Sequence, residues 1–303
     1  MPAAKKKPVV NPYGANAIAG GKGKPAGNPP AATTSRSGSA AGSVSQKPGQ
    51  MWVDKYKPMT SAGVIGQAGQ VKKLKVWLQN WEGWHLARKG SSNKPPTGRD
   101  NPGARAALLS GVPGVGKSST ASLVARELGY HVKELNASET RNKRSLSEEL
   151  ASVITNMVLP VVRNDGSGGV TKGGVLRQKL LVIMDEVDGM GGSDRGGIQE
   201  LIQLIKKSRV PIIAICNDRQ HEKIRSLVNY CYDLRFARPQ KVTIAKWVKS
   251  VAKMEGMDVD DNAAEMLVEA NGNDIRQVLH ALQMWSRKSS KLTYMNLKGV
   301  LGP

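Results

Sequence analysis

The sequence predicts an α/β domain built on a parallel sheet, followed by a small helical domain. Short apolar runs alternate with stretches of helical periodicity through the middle of the 303-residue chain, which is typical of a parallel sheet flanked by helices. Hydrophobic residues make up 39% of the chain and can supply a buried core. Aromatic residues make up 4%, which favours α/β over a β-sandwich. Beyond Pro239 the strand-like runs stop and helical periods continue.

The predicted elements follow one another along the chain. Strands are predicted at residues 106–110, 131–135, 179–184, 210–216 and 232–236. Helices are predicted among them at 117–128, 144–159, 196–207 and 221–226, and beyond Pro239 at 242–253, 262–270 and 274–286. Tryptophans 77, 81 and 84 have helical spacing, which favours a packing face over a surface that stacks on bases.

Composition predicts where order begins. Residues 1–50 are dominated by Gly, Ala, Pro, Ser and Lys, so they cannot bury enough apolar surface to offset the entropy of ordering, and we predict disorder. A polar, Pro-containing stretch at 91–105 predicts a loop. The expected organisation is therefore a tail over 1–50, an α/β domain over 51–238 and a helical domain over 239–303.

The chain is strongly basic, with a formal net charge of +21. Residues 1–50 contain seven basic and no acidic residues, so most of the excess belongs to the part expected to fold. A polyanionic partner, nucleic acid first, is indicated, although a merely soluble basic protein is the alternative. Two cysteines in a chain of this length indicate reduced thiols and an intracellular protein. No apolar run approaches the ~20 residues of a membrane span.

A glycine-rich loop follows the first predicted strand. It reads Gly111, Val112, Pro113, Gly114, Val115, Gly116, Lys117 and Ser118, with Ser119 next, and fits the pattern G-x-x-x-x-G-K-[ST]. Glycines let successive N–H groups face one point, and the following helix adds the positive end of its dipole. The natural occupant is a triphosphate, with Lys117 facing the β and γ phosphates and the Ser118 hydroxyl suited to Mg²⁺. The flanking strand and helix disfavour a chance turn.

Two carboxylates close the third predicted strand. Asp185 is predicted to hold Mg²⁺ through its water shell, and Glu186 to polarise the attacking water as general base. Acids also follow strands as helix caps, but the upstream loop makes that alternative weaker. Because strand 131–135 comes between the two motifs in the chain, we expect a strand inserted between the loop-bearing and acid-bearing strands.

Two further polar residues are candidates for the same site. Asn217 ends the next strand, where it could orient the water or sense the γ phosphate, although an Asn in this place is more often a turn residue. Arg276 follows the N-cap candidate Asp274 and could reach the γ phosphate or be a solvated helical arginine.

In this order the four elements are similar to the Walker A, Walker B, sensor 1 and sensor 2 motifs of AAA+ ATPases. The stretch Trp52 to Pro58, with Ile65, Gly66 and Gln67, looks like the segment of clamp loaders that closes over adenine. The stretches Asp185 to Met190 and Asp194 to Gly197, with Asn136 to Ser138 earlier, resemble the large subunit of replication factor C more than the small subunits.

This resemblance implies a P-loop AAA+ fold, a five-stranded parallel sheet followed by a helical lid with ATP between them. It implies an ATPase, with ATP and Mg²⁺ as cofactors, in a loader that closes a sliding clamp around primer-template DNA during replication and repair. The implied partners are the small replication factor C subunits, the clamp and the DNA, without a membrane, in the nucleus. The lysine cluster at residues 5–7 could be an import signal or a chance run. Tyr56 and Pro58, with Ile65, Gly66 and Gln67, would join the loop in binding ATP.

Departures from the family pattern also carry expectations. Small subunits have a Ser-Arg-Cys motif whose arginine reaches the neighbour's ATP, whereas this chain has Asn229, Tyr230 and Cys231. The clamp-binding segment usually presents adjacent aromatics, and residues 157–162 have none, which puts that contact in doubt. The chain stops at Pro303, where the family continues into a collar, so a fragment is expected.

The basic residues Arg141, Lys143, Arg144 and Arg195 begin two predicted helices where the family grips DNA phosphates, although solvated surface charge explains each one as well. The competing functions are a nucleotide-gated DNA-binding scaffold with little turnover and the large subunit of a checkpoint or cohesion loader.

Overall fold

The computed structural model describes residues 50–86, 94–137, 179–190 and 196–301. Its centre is a parallel sheet of five strands, which confirms the predicted fold class. The strands are β1 (Ala106–Ser110), β2 (Tyr130–Asn136), β3 (Lys179–Asp185), β4 (Ile212–Cys216) and β5 (Cys231–Arg235). Each lies within two residues of its predicted place.

The order across the sheet is β2-β3-β4-β1-β5. A strand does separate the loop-bearing β1 from the acid-bearing β3, but that strand is β4, and β2 lies at the edge beyond β3. A strand was correctly expected between β1 and β3, but the prediction that residues 131–135 form it was wrong. Burial explains the difference, since β1 and β4 are buried at every residue, as central parallel strands are, whereas His131, Lys133 and Glu134 of β2 are exposed.

Helices cover both faces of the sheet. These are α2 (Ala68–His85), α3 (Lys117–Glu127), α4 (Gly196–Lys207) and α5 (Glu222–Val228), and a short helix, α1 (Trp52–Lys55), precedes them in the chain. The packing interpretation of the tryptophans is confirmed, because Trp77 and Trp81 are fully buried in the core between α2 and the sheet. Their indole N–H groups donate to the carbonyls of Ala104 and Arg105 at 2.9 and 2.8 Å. Helix α2 thus fixes the chain where it enters β1. The predicted helix 144–159 lies outside the described residues.

The C-terminal unit consists of α6 (Lys241–Met254), α7 (Asp261–Ala270), α8 (Ile275–Ser286) and α9 (Tyr294–Leu301). It also contains a two-stranded parallel sheet, β6 (Asp258–Val259) and β7 (Lys291–Leu292). The expectation that strands stop beyond Pro239 was wrong on this point, because two-residue strands are too short to show an alternating pattern. None of the described helices combines the length and the apolar character that a bilayer crossing requires.

The N-terminal helix α1 packs against this C-terminal unit. Trp52 and Tyr56 are buried in the core cluster formed by the helices of this unit, which we call the lid. The backbone N–H of Trp52 donates to Gln283 Oε1 at 3.0 Å. The Tyr56 hydroxyl donates to Glu255, which also pairs with Lys55 at 2.6 Å. The chain then returns to the sheet unit, where the Ser61 amide and hydroxyl donate to the Glu127 carboxylate at 2.6 and 2.7 Å.

Candidate functional site

The glycine-rich loop joins β1 to α3 at the carboxyl edge of the sheet. Gly114 and Gly116 have φ of 76° and 89°, a conformation that glycine adopts without strain. The loop is also tightly enclosed. A Cβ on Gly111 would lie 2.2 Å from the carbonyl oxygen of Phe236, and one on Gly114 would lie 2.2 Å from Asp274 Oδ1. The predicted strand–loop–helix context is therefore present, with an N-terminal helix turn that favours an anion.

Lys117 turns back onto its own loop. Its Nζ donates to the carbonyls of Gly111 and Val112 at 2.6 and 3.0 Å and to Asn217 Oδ1 at 2.9 Å. The side chain is buried, and burial lowers the pKa of the ammonium group, against the opposing charges of Asp185 and Asp188 nearby. The amine is held at the edge where a phosphate would lie.

The two oxygen ligands predicted for Mg²⁺ lie together. The Ser118 hydroxyl donates to Asp185 Oδ2 at 2.6 Å, and the other Asp185 oxygen accepts the Glu186 N–H at 2.9 Å. A hydroxyl and a carboxylate beside a phosphate cradle are donors that fit a hard divalent cation.

Glu186 has a left-handed backbone, with φ 55° and ψ 41°. This conformation costs a non-glycine residue of the order of 1 kcal/mol or more, and such residues concentrate at functional sites. It begins a 3₁₀ turn, Val187–Gly189, that leads the chain away from β3. The general-base candidate is thus fixed at the point where the strand stops.

Asn217 lies beside both motifs because β4 lies between β1 and β3. Its side chain accepts from Lys117, and its N–H donates to Asp188 Oδ2 at 2.9 Å. Asp188 was not singled out from the sequence as a site residue. The sequence signals for it are its place in the acidic run that begins at Asp185 and in the stretch Asp185 to Met190, which resembles the large subunit of replication factor C.

A cavity of about 350 Å³ opens between the sheet unit and the lid. Predicted site residues that line it are Tyr56, Pro58, Ile65, Gly114, Val115, Gly116, Ser118, Ser119 and Arg276. The loop lies at one end, apolar residues that include Val53 and Trp247 lie elsewhere in the wall, and helix α8 contributes Ile275 and Leu279. This arrangement has the size and the mixed wall of a nucleotide site.

Two predicted adenine-segment residues lie at the junction with the lid and are absent from the cavity wall. The Gln67 side-chain N–H donates to the Ala237 carbonyl at 2.6 Å. Gly66 packs against Pro239, since a Cβ there would lie 2.7 Å from the Pro239 Cβ. Within the glycine-rich loop, Val112 packs on the core cluster under α2 and Pro113 is exposed.

Asp274 connects the lid to the loop. It is the N-cap of α8, as predicted, and its Oδ1 accepts from the Arg276 and Gln277 N–H groups at 2.8 and 3.3 Å. The same carboxylate abuts Gly114, so the first turn of α8, with Arg276, is brought against the phosphate end of the cavity. The candidates Arg141, Lys143, Arg144 and Arg195, and segment 157–162, lie outside the described residues.

Comparison with known proteins agrees with this geometry. Residues 107–240 match the ATPase family associated with various cellular activities, and residues 242–299 match the RFC1-like AAA+ ATPase lid domain. Replication factor C subunit 1 of Homo sapiens is 46% identical over 259 residues, covering 82% of this chain and 22% of that protein. The chain belongs to the AAA+ ATPases of the replication factor C large-subunit type.

Other relatives extend the comparison. Replication factor C subunit 1 of Drosophila melanogaster is 45% identical over 79% of this AAA+ chain and 24% of that protein. The chain therefore spans about a quarter of the length of these two relatives. The RuvB Holliday junction branch migration motor of Thermotoga maritima has a TM-score of 0.53 at 15% identity, covering 80% of this chain and 72% of that chain. At that identity the likeness shows the AAA+ fold alone.

Proposed function

We propose that this chain binds ATP with Mg²⁺ and hydrolyses it as the large-subunit ATPase core of a sliding-clamp loader. The observation that carries the proposal is one hydrogen-bonded constellation below the lid. Lys117 contacts Asn217, Ser118 contacts Asp185, and Glu186 follows Asp185 directly. The replication factor C relatives supply the clamp-loader half of the proposal.

Each side chain has a role in this proposal. Lys117 and Arg276 place positive charge at the β and γ phosphates, and the loop amides bind their oxygens. Ser118 and Asp185 would hold Mg²⁺, and the ion would supply positive charge beside the phosphates. Glu186 accepts a proton from the attacking water, and Asn217 orients that water. Tyr56, Pro58 and Ile65 cover the base.

The partners follow from the same proposal. Small replication factor C subunits would complete the site, the assembled loader would act on a sliding clamp and primer-template DNA, and the protein would work in the nucleus. A scaffold with little turnover is the competing function. It is disfavoured because Glu186, the proposed general base, would then have no role. A checkpoint or cohesion loader differs in its other subunits, so identifying the proteins that co-purify with the full-length protein separates it from the first proposal.

Glu186→Gln tests turnover against the scaffold. The amide cannot accept the proton of the water, so we expect ATP to bind with an unchanged Kd while hydrolysis falls by about 10²-fold or more. The measurement is single-turnover hydrolysis of bound ATP, in the chain and in the reconstituted loader. Glu222→Gln, an exposed change in the first turn of α5, is the matched control. A Glu186→Gln protein that hydrolyses ATP like the wild type would support the scaffold.

We also propose that DNA binding is electrostatic and nearly independent of sequence. Phosphate contacts release counterions, so affinity should fall steeply with salt, and charge reversal of Arg141, Lys143 and Arg195 to Glu should lower both the affinity and the salt slope. The control is the same reversal at three exposed lid residues, Lys246, Lys253 and Arg287. Fluorescence anisotropy at several salt concentrations measures both. Equal losses in the two triple variants would contradict the assignment, because net charge alone would then explain binding.

A further inference from the structure

We infer that Asp188 is a positioning residue that holds the backbone of Asn217, and through it the amide side chain that contacts Lys117. The inference rests on the proposed ATPase function for its kinetic consequence. Its structural part stands on hydrogen bonds between Asp188 and the end of β4.

The backbone pairing of β3 with β4 stops before the site. The paired residues of β3 and β4 end at Met184 and Ala214. Beyond that pair the two chains separate, since β3 turns at Glu186 into Val187–Gly189 while β4 continues to Cys216. Asp188 Oδ2 accepts the N–H groups of Asn217 and Asp218 at 2.9 and 3.3 Å. A side chain therefore joins the two chains where backbone pairing no longer does.

The contact with Asp188 fixes the position of Asn217. An Asn at the end of a strand has a free choice of backbone and rotamer unless a neighbour restrains it. With its N–H fixed by Asp188, the Asn217 side chain is directed so that Oδ1 meets Lys117 Nζ at 2.9 Å. The position of the residue proposed to orient the water thus depends on one carboxylate, whereas Lys117 keeps its contacts with the carbonyls of Gly111 and Val112.

Asp188 is also connected to Glu186, the general-base candidate, through the backbone of one turn. Asp188 lies in the turn that Glu186 begins, and the Gly189 N–H donates to the Glu186 carbonyl at 2.9 Å. Because the turn is anchored on β4 through Asp188, the strained backbone of Glu186 is held from its far side. Loss of the anchor should therefore move Glu186 and Asn217 relative to each other, and a displacement of about 1 Å can lower a rate by ~10²-fold.

The experiment compares Asp188→Ala, Asp188→Asn and Asp218→Ala. Alanine removes the acceptor, whereas asparagine keeps an oxygen that can accept the same N–H groups. Asp218→Ala is the matched control, because that carboxylate lies on the same loop and accepts from the Gln220 N–H at 2.8 Å. Three quantities are measured on the 303-residue chain: amide hydrogen exchange at Asn217 and Asp218 without nucleotide, the Kd of ATP, and single-turnover hydrolysis.

We expect Asp188→Ala to lose amide protection at Asn217, to keep the Kd within about threefold, and to hydrolyse ATP on the order of 10- to 100-fold more slowly. Asp188→Asn should keep protection and most of the rate, and Asp218→Ala should resemble the wild type. Wild-type protection at Asn217 in Asp188→Ala, or equal rates in Asp188→Ala and Asp188→Asn, would overturn the inference. If Asp188→Ala does not fold, Asp188→Leu takes its place, because leucine fills the space but offers no acceptor, and wild-type protection at Asn217 in that variant would overturn the inference.

The exchange measurement separates this inference from the proposed function. If the wild-type chain neither binds nor hydrolyses ATP, the proposed function fails, while the protection of Asn217 and its dependence on Asp188 still test the contact. If ATP is hydrolysed but protection does not depend on Asp188, the positioning role alone fails.

Discussion

Lys117→Ala is expected to reduce the affinity for ATP by about 10²-fold or more while the protein stays folded. A hydrogen bond to a charged group is worth ~1.5–3 kcal/mol, and the lysine is proposed to contact two phosphates, so the loss amounts to at least ~3 kcal/mol. The measurement is a titration with a fluorescent ATP analogue, with thermal unfolding as the test of folding.

The structure explains why folding should survive this change. Lys117 contacts the carbonyls of Gly111 and Val112 and the amide oxygen of Asn217, and its neighbours Gly116 and Ser118 line the cavity, so water can replace the amine. Burial already disfavours its charged form, as its lowered pKa indicates. Lys72→Ala, at an exposed position of α2, controls for loss of one positive charge. An unchanged ATP affinity in Lys117→Ala would refute the phosphate-site assignment.

Local patterns predicted the strands and the glycine-rich loop. The runs around β1 and β4 are apolar at nearly every position because both faces of a central strand are buried, and that pattern is visible in sequence. The loop is equally visible, since its glycines are required by the backbone itself and by the close approach of Phe236 and Asp274. For these strands and this loop, burial and backbone conformation restrict the residue type at each position, so the sequence shows them directly.

Pairings between distant segments were not predictable in the same way. The order of strands depends on which edges meet, and the polar residues His131, Lys133 and Glu134 are a sequence sign of an edge strand that the order of motifs along the chain outweighed in the prediction. The packing of α1 on the lid rests on contacts of Trp52 and Tyr56 with residues about 200 or more positions away. The residue pattern of a short segment does not indicate which distant segment it will contact. The predictions for Gly66 and Gln67 followed the family segment as a whole and could not separate wall residues from junction residues.

Asp188 was missed for a related reason. An acid in a turn after a strand is a common solvated residue, and its importance depends on the Asn217 N–H, which belongs to another strand. The sequence places the chemistry of Asp185 and Glu186 in one run but does not say which neighbouring strand they will face. Site residues that act through backbone groups need the fold before they can be recognised.

Partner subunits are expected to raise ATP hydrolysis by this chain by a factor on the order of 10³ to 10⁵, the value of an arginine supplied by a partner in related NTPases. Phosphoryl transfer develops negative charge around the γ phosphate, and it needs cations there. Lys117 contacts the glycine-rich loop, and Arg276 lines the cavity beside it. We therefore expect the 303-residue chain to bind ATP and to hydrolyse it slowly.

A second copy of this chain should not supply the missing charge. Where small loader subunits carry an arginine, this chain has Tyr230, which carries no positive charge. Hydrolysis by the chain alone should thus stay slow at every concentration, whereas small replication factor C subunits should accelerate it. Small subunits with that arginine replaced by alanine should assemble without accelerating it. Steady-state hydrolysis measures all three cases. Fast turnover by the chain alone, unchanged by concentration or partner, would mean that its own residues complete the active site.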